Sequence, residues 1–173
     1  MRIATRVLSA VAALAATVAL VGTVASPAQA ADTTNKNGIT TVTVYHEAVS
    51  PTAVIGSGLG TVRTFFIPIA VNGKAADGQY LAAMLTTVAT DMPDNQEVRA
   101  SDLTFVFGNS NDQLVLGGVG LYPAAGATLA VGTRLIRPVV GGSGRYAGAI
   151  GEAVSTNLGA NGWTHVFKIR LPK

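Results

Sequence analysis

The chain has 173 residues, 49% of them hydrophobic and 12% charged, with no cysteine and a formal net charge of +3. The lack of thiols excludes a disulfide framework, a thiolate metal site and a cysteine nucleophile. So small a charge surplus also argues against a nucleic-acid binder, which needs cations to neutralise phosphates.

The first feature in chain order is an uncharged apolar run over 7–24, preceded by Arg2 and Arg6 and followed by Ser26-Pro27-Ala28-Gln29-Ala30. A basic start, an apolar centre and small residues at A-x-A spacing read as a secretory signal peptide, with cleavage expected after Ala30. The run also approaches membrane-spanning length, so an uncleaved anchor is the competing reading; Pro27 and the A-x-A site favour cleavage. Removing 1–30 takes two arginines and no acid, leaving 143 residues with 10 basic and 9 acidic side chains, a charge of +1. A domain of roughly that size buries about 68–70% of its unfolded-chain surface, enough for one core without disulfides. The expected product is a secreted, extracellular single domain, with no membrane association after cleavage.

Residues 31–38 are small and polar without periodicity and read as a flexible lead-in to a domain over 39–173. From Ile39 the chain divides into short β-like runs punctuated by Gly, Pro, Asn and Asp. The runs are Ile39 to Glu47, Thr61 to Ala70, Gln79 to Thr90, Asp102 to Phe107, Gln113 to Tyr122, Thr128 to Arg137, Arg145 to Leu158 and Trp163 to Leu171. Asn72-Gly73 and Gly141-Gly142-Ser143-Gly144 mark turns between them. Only Gln79 to Thr90 is ambiguous: Leu81-Ala82-Ala83-Met84-Leu85 suits a helix, whereas Thr86, Thr87, Val88 and Thr90 suit a strand. With no amphipathic helix elsewhere, the pattern predicts an all-β antiparallel sandwich or closed barrel.

Strand alternation sorts the polar groups by face. His165 shares a side with Trp163, Phe167 and Ile169, and His46 shares one with Val42 and Val44. Both are therefore expected to point inward, either as core histidines satisfied by the backbone or as groups that move protons near neutral pH. Two histidines without an acid pattern make a poor metal site, and no metal is expected. Glu47 is expected to face solvent, although a one-residue slip would exchange it with His46. Glu152, alongside Tyr146 and Ile150, reads either as an interior carboxylate or as a rim charge. Arg63 is a candidate holder of an anionic or carbonyl group, while Arg134 and Arg137 are expected outside. No nucleophile elbow, HExxH, P-loop or calcium-loop pattern occurs.

The most distinctive segment is Val139-Val140-Gly141-Gly142-Ser143-Gly144-Arg145-Tyr146-Ala147-Gly148-Ala149-Ile150-Gly151. It resembles the GG[TS]G-x-[FY]-x-G-x-x-G signature of allene oxide cyclases and the related segment of dirigent proteins, with Gly141, Gly142, Gly144, Gly148 and Gly151 on the signature glycines. Phe105-Val106-Phe107-Gly108 through Gly117-Gly118 and Val44-Tyr45-His46-Glu47 followed by Ser50-Pro51 extend the similarity over most of 39–171. The resemblance implies a single eight-stranded antiparallel barrel with a lined cavity. It further implies a small hydrophobic or aromatic partner and cofactor-free control of a cyclisation or coupling, with no bound cofactor. His46 stands where the cyclases carry a glutamate, Ala48 where they carry an asparagine, and Gly120 near their cavity tyrosine, with Tyr122 close by. Dirigent proteins commonly carry an arginine at Ile150. These departures argue against allene oxide cyclase activity itself. The candidates for orienting a substrate are His46, Tyr45, Tyr122 and Glu152. The rival readings are a non-catalytic carrier or scavenger of hydrophobic metabolites and a structural barrel with a filled interior. A homo-oligomer is compatible with each.

Overall fold

The computed structural model describes residues 32–172, so the signal-peptide reading of 1–30 lies outside the described residues. The described residues form ten strands: β1 (Thr33–Thr34), β2 (Thr40–His46), β3 (Ala53–Ile55), β4 (Val62–Val71), β5 (Lys74–Met92), β6 (Gln96–Phe107), β7 (Gln113–Pro123), β8 (Arg134–Ser143), β9 (Ile150–Asn157) and β10 (Trp163–Arg170). Eight of them, β2 and β4 to β10, close an antiparallel barrel. Neighbours from β4 to β10 are consecutive in sequence, and β2 shuts the ring by pairing with β10 on one side and β4 on the other. Closure removes the free edges that would otherwise template aggregation.

Local chemistry accounts for the connections. Asn72 and Gly73 both take positive φ, at 48° and 80°, and place Val71 opposite Lys74. A two-residue turn of this hand matches the right-handed twist of the flanking strands. The ambiguous segment is strand: β5 pairs with β4 and β6 along most of its length, where its β-branched end fits the pleat. Several boundaries depart from the expectation: β3 falls outside the expected runs, β5 starts five residues early at Lys74 and β9 five residues late at Ile150. The lead-in carries β1, and Asp32 accepts hydrogen bonds from Tyr146 OH at 2.8 Å and Asn72 Nδ2 at 3.2 Å. Strand β6 starts at Gln96, six residues early, because its first half is polar yet extended. Strand β8 starts late and runs through Gly141 and Gly142 to Ser143, with the turn following over Gly144–Tyr146.

The glycine signature is a close-approach device at one end of the barrel. Gly151 has φ +151°, and a Cβ there would run into the Lys168 carbonyl oxygen of β10. Gly144 has φ +57° and sits against Asp112 Oδ1 and Asn111 O. By contrast, a Cβ on Gly141 would meet open space, so that position is not demanded by sterics.

Inward side chains fall into two halves along the barrel axis. On β6 the inward residues, in order, are Glu97, Arg99, Ser101, Leu103, Phe105 and Phe107, all buried. The Phe105–Phe107 half is a packed apolar core. Phe105 meets Phe167 edge-on at 5.0 Å, and Phe107 meets Tyr146 at 4.9 Å. The Glu97–Ser101 half is polar and holds the cavity.

Candidate functional site

The polar half encloses a cavity of about 150 Å³, whose apolar wall includes Phe65, Leu81, Leu85 and Leu103. Polar groups from six different strands converge on it: His46, Arg63, Arg99, Tyr122, Arg137 and His165, with Ser155 beside His165. A wider cleft of about 540 Å³ is lined by β3, the β5–β6 turn and residues 124–126. Pro51, Arg63 and Gly126 line both, which sets this cleft over the mouth of the inner cavity.

One wall is a pair of stacked imidazoles. The rings of His46 and His165 lie 5.2 Å apart at 24°, and Trp163 stacks beyond at 6.4 Å. Strand alternation on β2 and β10 aims both histidines inward, and antiparallel register places Ser155 directly opposite His165. Ser155 Oγ lies 2.8 Å from His165 Nδ1, and His46 Nδ1 donates to the Glu47 carbonyl at 2.7 Å. A carbonyl only accepts, so Nδ1 of His46 carries the proton and its Nε2 presents a lone pair. His165 is different. A serine hydroxyl can donate or accept, so rotating it lets His165 Nε2 present either a proton or a lone pair while the ring stays neutral. That Nε2 is buried without a hydrogen-bond partner. The Gln79 amide is also buried without partners, but it lies toward the packed half, opposite Phe107, and does not line the cavity.

Burial keeps both rings neutral. It lowers the His46 pKa, opposed only by the bond to Glu47. It lowers that of His165 well below the ordinary value, and the neighbouring His46 and the Arg137 charge add to the effect. Desolvation disfavours the charged form of any imidazole, and a nearby guanidinium does the same.

The facing wall is an arginine cluster organised on Glu97. Arg99 Nε donates to Glu97 Oε1 at 2.5 Å, and Arg63 Nη2 lies 3.4 Å from the same oxygen. Arg63 Nη1 donates to Thr87 Oγ1 at 3.0 Å, which in turn donates to Glu97 at 3.3 Å. Arg99 also donates to Ala127 O and stacks 4.3 Å over the Tyr122 ring. Burial and the Arg99 charge lower the Arg63 pKa against the pull of Glu97, but a guanidinium stays cationic across the physiological range. Arg137 Nη2 donates to Tyr122 OH at 2.8 Å and its Nε to Ser101 Oγ at 3.2 Å. Gly120 makes this possible: a Cβ there would crowd Tyr122 Cε2, Leu135 Cδ1 and Arg137 Nη2 at 3.1 to 3.4 Å.

Of the residues picked out from sequence, His46, His165, Tyr122 and Arg63 meet in the cavity. Tyr45 and Glu152 do not. Both are exposed on outward-facing positions of β2 and β9, Tyr45 at 36% of its surface. Glu152 is thus a charge reaching solvent, and Glu47 and Arg134 are exposed as expected. Arg137, expected outside, is 2% exposed and points inside, because it lies three residues from the outward Arg134 and so shares the inner face with Val139. Glu97, Arg99, Ser101 and Ser155 were missed. The signal for the first three was present in the period-two series from Glu97 to Phe107, broken only by treating its polar half as loop. Among the described residues, no group of three or more His, Asp or Glu side chains is placed to hold a metal, and no helix is long and apolar enough to cross a membrane.

No protein-family model matches the chain, and no curated protein matches it. Solved structures do. A pyocyanin demethylase superposes with a TM-score of 0.52 at 18% identity, covering 76% of this chain and 98% of its own. The fold is an allene oxide cyclase/dirigent-like barrel. A pterocarpan synthase dirigent protein is the second example, with a TM-score of 0.50 at 12% identity over 76% of this chain and 84% of its own. At these identities the likeness is one of fold. Within this dirigent-like barrel the side chains facing the cavity are the chain's own: a histidine pair and an arginine cluster built on Glu97.

Proposed function

We propose that this chain is an exported barrel that takes a small hydrophobic or aromatic molecule into its cavity and steers a cofactor-free rearrangement or coupling of it. The observation that carries the reading is the buried, unpartnered Nε2 of His165 in the wall of a cavity that sets polar groups against an apolar face. Leaving a buried polar atom unsatisfied is unfavourable, so the atom is best explained by a ligand group that pairs with it. Convergent polar groups in an apolar pocket are also the usual composition of a small-molecule site. The two solved neighbours are named as a demethylase and as a pterocarpan synthase dirigent protein, which fits a barrel that handles small molecules.

In this reading the apolar wall holds the body of the substrate while His165 Nε2 donates to, or accepts from, its reacting oxygen or carbon. The Ser155 hydroxyl rotates to match whichever neutral tautomer His165 holds at rest, and a proton taken up at Nε2 is returned to the substrate later in the cycle. His46 offers a second lone pair 5.2 Å away, ring centre to ring centre. Rate then comes mainly from positioning in a water-poor chamber, with general acid–base assistance from an imidazole held neutral. A carrier remains the second reading. It is favoured by the absence of any carboxylate in contact with either histidine among the described residues, since such a contact is the usual means of raising imidazole basicity.

The test starts from the full chain expressed with its leader in a secreting host. Protein recovered from the medium with Ala31 at its N-terminus supports export and cleavage. Native mass spectrometry after incubation with the producer's extract then shows whether a small molecule is retained. Retention by the wild type, with an altered product or stereochemistry in His165→Ala, supports the enzyme. Retention with unchanged product supports the carrier, and no retention rejects both.

A further inference from the structure

The polar half of the barrel holds three guanidiniums and one carboxylate. Arg63, Arg99, Arg137 and Glu97 are each no more than 7% exposed. Glu97 is shared by Arg63 and Arg99. Arg137 has only neutral partners, Ser101 Oγ and Tyr122 OH, and among the described residues no carboxylate lies within ion-pair distance of it. The cluster therefore carries two uncompensated positive charges behind an apolar wall. Burying a charge without a counter-charge is costly, and chains normally avoid it by pairing. Here the fold invests in the opposite. A side chain at Gly120 would press on Tyr122 and Leu135, at 3.1 and 3.2 Å from its Cβ, and Tyr122 OH is the group that accepts from the Arg137 guanidinium. Thr87 and Ser101, both buried, serve as neutral props for the same cluster. Arg137 spends its Nε and one Nη2 proton on these props. Its Nη1 and remaining Nη2 protons form the end-on fork that matches the two oxygens of a carboxylate.

We propose that the ligand of this cavity is a carboxylic acid with a small aromatic or branched apolar body, bound as the anion with its carboxylate on Arg137 beside Arg63 and Arg99. The proposal rests on the reading of the cavity as a small-molecule site and adds the class of molecule it takes. The apolar body lies against Phe65, Leu81 and Leu103, within reach of His165. A chamber of about 150 Å³ fits about one aromatic ring, with the wider cleft above it for a tail. One anion reduces the cluster's excess from two charges to one. Neutral analogues leave both charges buried, and cations add a third.

The test uses three probes of one shape, 3-phenylpropionate, 3-phenylpropionamide and 3-phenylpropylamine, with indole as a neutral probe of the apolar chamber. Binding to the intact secreted protein is followed by titration calorimetry and by amide shifts in NMR spectra, at fixed ionic strength near neutral pH. The expected order is acid over amide by about tenfold or more, the difference a charge-assisted contact makes over a neutral one, with the amine excluded. In Arg137→Gln the acid falls to the affinity of the amide while the amide is unchanged. Because that variant can fail to fold, the wild-type order of acid, amide and amine is decisive by itself. Equal binding of acid and amide, or binding of indole alone, overturns the carboxylate assignment and leaves the cavity reading standing. Failure of all four probes to bind overturns both.

Discussion

The chain has two histidines, and both sit in the cavity wall with pKa values lowered by burial. Acid stability between neutrality and about pH 5 is therefore a direct readout of this site, because carboxylates titrate mostly below that range. The sign follows from where the protons go. Above the ordinary histidine pKa of about 6.5 both folded and unfolded chains hold neutral imidazoles, and folding is unaffected. As pH falls below that value the unfolded chain takes up protons that the folded chain refuses, so stability drops until the lowered folded pKa is reached. Each refused proton costs about 1.4 kcal/mol per pH unit. For His165, whose pKa lies well below the ordinary value, moving from about pH 7.5 to pH 5 removes at most about 2 kcal/mol, the limit in which the folded ring takes up no proton. His46 adds a smaller amount, since its bond to the Glu47 carbonyl opposes the burial effect. Across the cavity the charged groups nearest the pair are Arg63, Arg99 and Arg137. Urea unfolding followed by tryptophan fluorescence at a series of pH values measures the loss, with Trp163 stacked near the pair as reporter. His165→Phe keeps a flat ring and abolishes titration, and its stability falls less than the wild type's over the same range, by up to about 2 kcal/mol. A wild-type midpoint that stays flat from pH 7.5 to 5, or a slope that His165→Phe leaves undiminished, would refute the argument. Either would mean that His165 titrates as a solvated imidazole and that the wall it occupies is wet.

Three further outcomes test other parts of the structure. Gly151→Ala forces a Cβ into the Lys168 carbonyl at a φ of +151° and should destabilise by about 2–4 kcal/mol in urea unfolding, whereas Gly141→Ala, facing open space, should stay within about 0.5 kcal/mol. Glu97→Gln leaves Arg63 and Arg99 buried without their counter-charge and should cost about 3–5 kcal/mol; a loss under about 1 kcal/mol would show that water already solvates the cluster. Tyr45→Ala and Glu152→Gln, both on the outer surface, should leave stability within about 0.5 kcal/mol and small-molecule retention unchanged. Loss of retention in either would contradict the inward cavity.

The all-β antiparallel class was legible because its evidence is local and repeated, whereas barrel rather than sandwich came only from the resemblance carried by the glycine signature. Eight β-branched runs with hairpin-length links leave few architectures open, and the alternation on β2 and β10 correctly turned His46 and His165 inward. What escaped is the part of the site that depends on where strands begin. A stretch such as Gln96-Glu97-Val98-Arg99-Ala100-Ser101 is polar enough to pass for a loop, because hydropathy assumes that an inward face is apolar. The interior of this barrel is apolar only in its far half. On β8 the face assignment failed for a simpler reason: Arg134 and Arg137 are three residues apart, so alternation puts them on opposite faces, and with Arg134 outside Arg137 enters the chamber. The Ser155–His165 pair needed register, which no run of residues supplies alone. It becomes visible only once β9 and β10 are aligned across the Gly159–Asn161 turn.

That polar half also explains how the fold tolerates what should destabilise it. Phe105, Phe107, Phe167, Leu114 and Leu116 are essentially fully buried, and a side chain of that kind contributes about 1.5–3 kcal/mol when removed from water. These residues sit at the end closed by the signature glycines and by Asp32, which ties Tyr146 and Asn72 together. The charged residues lie at the other end, where a strained or under-paired group can be accommodated without opening the core. Stability and recognition are therefore separated along one axis, within strands that carry both. A single strand such as β6 begins with Glu97 and Arg99 and ends with Phe105 and Phe107, so the gradient is written into each strand and does not come from added loops. The consequence is directional. Substitutions toward the Phe107 end act on folding, and substitutions toward the Glu97 end act on which molecule is held, with His165 at the boundary where both effects are felt.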